Sequence, residues 1–236
     1  MPSLDDLKKR IKSVKSTQKI TKAMKMVAAA KLKKAQENAE NGRPYSKKLQ
    51  KIILNLTNAV YNDENAPKLL IGNGSDKVYL CVVITADKGL CGSFNSSICK
   101  SAKNFFKKIL SENKDLKIIT IGSKGFDQLK REYGKFIIQK ISYKDKKYIS
   151  FKEADEVSKI IIDLFNDNKF DKCHIFFNNF KNVITQVPQN LQIIPTHQIS
   201  NKEENKDSDP YEFEPEEKDI LEDLLPKNIA TQVYTA

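Results

Sequence analysis

The amino-acid sequence predicts an α/β protein: a layered sheet domain flanked by a long N-terminal helix and the start of a second helix at the C-terminus. Three observations carry this. Gly and Pro are absent from Ser3 to Asn41, a stretch rich in Lys, Ala, Met, Gln and Leu, all good helix formers. Between residues 77 and 195, apolar runs of strand length alternate with segments of helical period, the pattern of a mostly parallel sheet with helices packed on it. From residue 216 the apolar side chains Ile220, Leu221, Leu224, Leu225, Ile229 and Val233 return at helical spacing.

Within the first segment Leu4, Leu7, Ile11 and Val14 recur at steps of three, four and three, the seam of a coiled coil. After Thr17 the series resumes at Ile20, Met24 and Val27, and the two successive steps of three around Thr17 form a stammer. The small residues Ala28, Ala29, Ala30 and Ala35 follow, with Leu32 among them; side chains of this size let another backbone approach closely. Gly42 and Pro44 are expected to kink or weaken the helix, and the pattern recovers at Leu49, Ile52, Ile53 and Leu56. A helix of this length spans about 80 Å, longer than a domain of this size needs, so most of it should project.

Charge is as unevenly spread as the apolar pattern. Of the formal net charge of +11, the whole belongs to residues 1–60, which hold fifteen Lys or Arg and four acids (Asp5, Asp6, Glu37, Glu40); the rest of the chain is neutral. The segment therefore calls for an acidic partner. Nucleic acid, an anionic membrane surface and an acidic protein surface all qualify on charge alone.

The sheet domain is expected at 77–199, between polar linkers at 61–76 and 200–215. Val78 to Ala86 is nearly all apolar, as a strand covered on both faces is. The turn Asp87 to Gly92 leads to a helix from about Ser93 to Ser111. A strand at Lys117 to Gly122 and a short helix through Leu129 follow. Then come a strand at Lys135 to Ile141, a helix from Phe151 to Phe165 and a strand at Lys172 to Asn178. Return strands at Val183 to Val187 and Leu191 to Ile194 suggest an antiparallel edge. This order is Rossmann-like. In the last segment, 216–236, Pro226 is an unexpected interior residue that could offset the start of the helix.

Several chemistries are disfavoured. No apolar run approaches the roughly 18 residues of a membrane span, and Met1 to Asp6 does not look like a signal peptide. Cys81, Cys91, Cys99 and Cys173 form no CxxC pair and read as free thiols. His174 lies in an apolar run and reads as packed; His197 is the only other histidine. Asp87-Lys88-Gly89-Leu90-Cys91-Gly92-Ser93 follows a buried strand and opens a helix, where phosphates bind. It lacks the full GxGxxG or GxxxxGK pattern, as does Ile121-Gly122-Ser123-Lys124-Gly125. Both are read as tight turns rather than nucleotide loops, with no cofactor, metal or catalytic residue assigned. Three classes remain in view: a non-catalytic part of a larger assembly, a basic-helix nucleic-acid-binding protein and a nucleotide-binding Rossmann-like enzyme.

One resemblance separates them. Ser13-Val14-Lys15-Ser16-Thr17-Gln18-Lys19-Ile20-Thr21-Lys22-Ala23-Met24-Lys25-Met26-Val27-Ala28-Ala29-Ala30-Lys31 resembles the N-terminal signature of the gamma subunit of rotary (F-type) ATP synthases. Asp87-Lys88-Gly89-Leu90-Cys91-Gly92 looks like that family's second landmark, and Arg43-Pro44-Tyr45 fits between them. The bacterial type is closer than the plastid type, because no inserted cysteine pair is seen. The resemblance implies a non-catalytic central-stalk rotor that binds no nucleotide or nucleic acid itself. The two terminal helices (1–60 and 216–236) would pair as an antiparallel coiled-coil shaft in the bore of the alpha and beta subunits. The sheet domain would form a foot with the epsilon subunit above the membrane-embedded proton-carrying ring, peripheral to the cytoplasmic face of the bacterial inner membrane. It places Lys19, Lys22, Met24 and Lys25 against acidic lever loops of the beta subunits, and Tyr211 and Glu214 against the ring. Met24 equally fits the seam of the coil, the lysines a solvated face, and Tyr211 and Glu214 a plain linker. The family ordinarily continues further, so this chain is expected to hold only the start of the C-terminal helix. Without the remainder, the stripe of residues 4–35 lacks its main partner, and the chain on its own is expected to be poorly folded in its N-terminal half.

Overall fold

The computed structural model describes residues 3–60, 66–146, 148–182, 185–196 and 217–236. The chain divides into two compact units, Met1–Lys47 and Lys48–Ala236.

The first unit is helical. Helix α1, Leu4–Val60, begins in it, and its start is written locally. The Asp6 amide donates to Ser3 Oγ at 3.2 Å, while Asp6 Oδ2 accepts from the Ser3 amide at 3.2 Å and the Ser3 hydroxyl at 2.9 Å. This reciprocal cap satisfies amides that have no partner inside the helix, and the acidic first turn suits the positive end of the helix dipole. Gly42 and Pro44, expected to kink or weaken the helix, lie inside it: α1 continues through Pro44 to Val60. Proline removes one hydrogen bond to the carbonyl four residues back, that of Glu40. Glu40 is exposed, and water can take the bond instead.

The second unit is a three-layer sandwich. Strands β1 (Val78–Ile84), β2 (Asp115–Ile121), β3 (Ile137–Ile141), β4 (Lys172–Phe180) and β5 (Gln186–Ile194) form one sheet in the order β3-β2-β1-β4-β5. Pairings among the first four are parallel; β5 runs antiparallel to β4. Alternate side chains of β1 explain its near-continuous apolar run. Tyr79, Cys81 and Val83 join the core beneath α3 (Phe94–Ser111) and α4 (Ser123–Tyr133). Leu80 and Val82 join the opposite core with Val157, Ile161 and Phe165 of α5 (Phe151–Asn166). Helix α5 starts at a capping box in which the Ser150 amide and hydroxyl donate to Glu153 Oε2 at 2.7 and 2.6 Å.

Three elements depart from the sequence reading. The segment 61–76, expected to be linker throughout, contains the short helix α2 (Lys68–Ile71), anchored by fully buried Leu70. Two return strands were expected after β4, yet Gln186–Ile194 is one strand carrying Pro188 opposite Asn178. An edge strand tolerates proline because its outer N–H groups serve no ladder; Val183 and Ile184 lie outside the described residues. Pro226 does not set the start of α6 (Glu217–Thr235) but lies inside it. The stripe of α6 is buried at both ends. Leu221 and Leu225 pack with Leu49, Ile53 and Leu56 at the C-terminal end of α1, and with Ala66 and Leu70. Ile229 and Val233 join the core shared by α5 and the sheet.

Candidate functional site: an uncovered basic helix

Every residue from Ser3 to Lys31 is exposed, the apolar seam included. Leu4, Leu7, Ile11, Val14, Ile20, Met24 and Val27 each keep well over a third of their surface in water. Helical geometry decides which of them share a face. At about 100° per residue, Lys8, Lys12, Lys15, Lys19 and Lys22 form a row within an arc of about 80°. Lys8, Lys12, Lys15 and Lys19, with Ile11 and Ser16, line a shallow depression along this row. Each like-charged neighbour three or four residues away costs the helix roughly 0.2–0.5 kcal/mol. A bare helix thus carries repulsion that an acidic partner would relieve.

The four candidate contact residues do not all lie together. Lys19, Lys22 and Lys25 fit within about 120° of the helix circumference, whereas Met24 lies about 160° from Lys22. Met24 shares its side with Ile20 and Val27, one turn away in each direction. Its exposed position is that of a seam residue rather than a member of the lysine face. Tyr211 and Glu214 lie outside the described residues, as does His197.

The two glycine turns interlock at the C-terminal edge of the sheet. Asp87 Oδ1 accepts from the Ser123 amide and hydroxyl, both at 2.7 Å, and from the Ser142 hydroxyl at 2.8 Å; Oδ2 accepts from the Tyr143 amide at 2.9 Å. Partial burial opposes the charge of this carboxylate, but these donors outweigh it and hold the pKa below the usual aspartate value. The Asp87 side chain thus occupies the amide at the start of α4, the kind of position a phosphate would use. Beside it, Thr85 Oγ1 accepts from the Gly125 amide at 2.8 Å. A Cβ at Gly122 would lie 2.0 Å from the Thr85 carbonyl oxygen, and one at Gly125 2.7 Å from Thr85 Oγ1. These glycines allow close approach of one turn to the other. Asn95 completes the clasp, accepting from the Ala86 amide at 2.9 Å and donating to Cys91 Sγ at 3.1 Å.

Two exposed apolar features were not singled out from the sequence. Leu90 is 95% exposed and adopts a positive φ of 62°, a conformation uncommon outside Gly, Asn and Asp. Tyr148, Ile149 and Phe151 are exposed in the loop and first turn leading into α5, and the Phe151 ring meets Tyr234 edge-on at 5.7 Å between centroids. The available signal was an apolar residue between two turn glycines, and an apolar triplet in a lysine-rich loop belonging to no strand.

The remaining titratable groups serve the fold. His174 lies between Tyr79 and Phe105, with centroids at 5.9 and 4.6 Å, and meets Asn190 Oδ1 at 2.8 Å. Burial pushes its pKa down, opposed by the Asn190 bond and reinforced by the Lys172 charge. Cys81, Cys99 and Cys173 are buried free thiols and Cys91 is an exposed one. At the opposite edge of the sheet Asp76 meets Lys114 and Lys172, each at 2.9 Å, and the Tyr79 hydroxyl at 2.6 Å. Asp171 accepts from the Lys77 and Val78 amides, both at 2.8 Å, and ties β1 to the start of β4. Among the described residues no cluster of His, Cys, Asp and Glu could hold a metal ion, and no helix is long and apolar enough to cross a membrane.

An uncovered basic helix joined to a sandwich whose glycine turns are closed on themselves is the geometry of a docking part. The ATP synthase family description matches residues 3–236. The ATP synthase gamma chain of Pelagibacter ubique is 62% identical over 236 residues, which are all of this chain and 81% of that protein. The chain belongs to the ATP synthase gamma-chain family. The gamma chain of Rhizobium leguminosarum bv. trifolii is 48% identical, again over all of this chain and 81% of its own length. Among solved structures, the chain is similar to one of the Tetrahymena thermophila mitochondrial ATP synthase central stalk and c-ring. The TM-score is 0.69 at 27% identity, covering 92% of this chain and 90% of that one. Family membership supports neither the nucleic-acid-binding reading nor the nucleotide-dependent enzyme.

Proposed function

We propose that the chain is the central-stalk rotor subunit of an ATP synthase. It couples proton flow through the membrane sector to ATP synthesis or hydrolysis on the beta subunits by rotation, and is not itself catalytic. The observation that carries the reading is the uncovered, lysine-rich stretch Ser3–Lys31 of the N-terminal helix in a chain of this family. A rotor shaft must meet partners along its length without being covered by its own foot.

In this reading residues 1–60 and 216–236 contribute to the shaft, residues 77–199 form the foot with the epsilon subunit, and 61–76 and 200–215 connect them. Lys19, Lys22 and Lys25 face acidic lever loops of the beta subunits. The angular position of Met24 supports a seam role, against a partner helix, over a lever-loop contact. Tyr211 and Glu214 meet the membrane-embedded ring. The protein works at the cytoplasmic face of the bacterial inner membrane as a peripheral component. The test is co-purification: full-length chain co-expressed with alpha and beta subunits should elute with them as one complex. Elution apart from them, with both parties folded, would defeat the proposal.

A further inference from the structure

Two asparagines of the chain precede a glycine, Asn41 and Asn73, and the fold treats them differently. The pair Asn41-Gly42 lies within α1, where backbone amides are committed to the helix ladder. The pair Asn73-Gly74 lies in the loop that carries the chain from α2 to β1. Gly74 is exposed, has a positive φ of 76° and offers open space where a Cβ would stand. Its amide meets no acceptor among the described residues.

The side-chain amide of Asn73 is polarised at both ends. The Ser75 amide donates to Asn73 Oδ1 at 3.0 Å, and Asn73 Nδ2 donates to Asp171 Oδ1 at 2.6 Å. Burial opposes the Asp171 charge, but Asn73, Val78, Lys77 and Ser75 donate to it and hold its pKa below the usual aspartate value. Asn73 is thus one of the donors that steady this carboxylate where it ties β1 to the start of β4. A donor on Oδ1 stabilises the negative charge that develops there when a nucleophile adds to the amide carbon. The carboxylate beside Nδ2 favours positive charge on that nitrogen as it departs.

We propose that Asn73 is a site of spontaneous deamidation, and that the reaction releases the latch between the α2–β1 loop and Asp171. The Gly74 amide nitrogen adds to Asn73 Cγ, and its proton passes through water to Nδ2. The Cγ–Nδ2 bond breaks and the nitrogen leaves as ammonia. The cyclic imide that remains takes up one water and opens to an aspartyl or isoaspartyl residue, with nothing oxidised or reduced. The product puts a carboxylate where a donor stood. Two carboxylates so close repel each other, so residue 73 lets go of Asp171, and the acceptor of the Lys77 and Val78 amides loses its support. This proposal does not depend on the rotor reading.

The test ages the full chain at mildly alkaline pH and follows the tryptic peptide 69–77, in which Asn73 is the only asparagine, by mass spectrometry. The peptide should show the one-dalton gain of amide nitrogen exchanged for oxygen, split between aspartyl and isoaspartyl forms, ahead of peptides holding the other asparagines. Gly74→Ala should slow that gain. Amide hydrogen exchange at Lys77 and Val78 should then be about tenfold faster in the aged chain, the equivalent of one charge-assisted hydrogen bond. Asn73→Asp should reproduce the faster exchange and exceed Asn73→Ala, which removes the donor without adding charge. A peptide 69–77 that keeps its mass while others gain overturns the site. Conversion that leaves exchange unaltered, or equal exchange in the Asp and Ala variants, overturns the release of the latch.

Discussion

Gly122→Ala is the substitution whose cost the structure specifies most fully. The added Cβ would sit 2.0 Å from Thr85 O, 2.6 Å from its carbonyl carbon and 2.8 Å from Oγ1. Two of these three atoms are backbone, so no flexible side-chain end can yield. Gly122 also has φ 92° and ψ 132°, a conformation costing a non-glycine residue about 1–3 kcal/mol. Moving the Thr85 segment away would weaken the Thr85 N–H bond to Ile121 O at 2.8 Å, the Thr85 hydroxyl bond to the same oxygen at 3.1 Å and the Gly125 amide bond to Thr85 Oγ1. Such bonds contribute about 1 kcal/mol each. Strain and two or three lost bonds give a destabilisation of about 3–6 kcal/mol. Denaturant unfolding of the full chain, followed by tyrosine fluorescence to report on the sandwich, measures it. Gly134→Ala is the control: that residue has helical φ −53° and ψ −38° with open space around it, so alanine should stabilise by about 0.4–1 kcal/mol. If Gly122→Ala cost less than about 1 kcal/mol, the close-approach account of this turn would be wrong.

Leu225→Ala should cost about 2–5 kcal/mol, because Leu225 is fully buried among Leu49, Ile53, Leu56 and Leu70; a loss below 1 kcal/mol in the same unfolding assay would contradict that packing. Glu153 has its pKa lowered from the ordinary 4.5 to about 2, first by the Lys146 ammonium and then by the Ser150 hydroxyl and amide. A depressed carboxylate stabilises fully above its unfolded value, so this contribution should fade as pH falls from about 4.5 to about 2. Glu153→Gln should flatten the stability profile across that window; a mutant that loses stability there as steeply as wild type would rule the linkage out. Replacing Lys19, Lys22 and Lys25 together by Gln should weaken assembly with alpha and beta subunits and reduce its salt dependence, read by co-elution across a salt series, whereas Met24→Leu should leave both nearly unchanged. Equal effects of the two changes would contradict the division between lysine face and seam.

Long periodic elements were legible in the sequence and short or distant ones were not. Helix α1 and strand β1 follow from composition and period over many residues. Helix α2 has four residues, too few for any period, and it exists because Leu70 is buried by α1 and α6. The stretch read as two return strands is the single strand β5 with Pro188 inside it, and only its place at the edge of the sheet lets a proline stay in the ladder. The motif at Lys19 to Lys25 was visible as a string, but its division between two sides of a helix follows from angular position. The Asp87 clasp was beyond reach: Ser142 is 55 residues away, and no local pattern announces a bond over that separation. The turn was read as structural from its incomplete glycines, and the structure supplies the reason.

In the rotor reading, the exposed N-terminal part of α1 is built to be covered by partners. Isolated helices without tertiary contacts are marginal in water, and this one adds a row of like charges. Hydrogen exchange of residues 4–35 tests the claim most directly. In the full chain alone these amides should exchange almost as fast as unprotected peptide while those of β1 and β4 exchange slowly, and assembly with alpha and beta subunits should slow residues 4–35 by orders of magnitude. Strong protection of residues 4–35 in the free monomer, or fast exchange that persists in the assembled complex, would contradict the account.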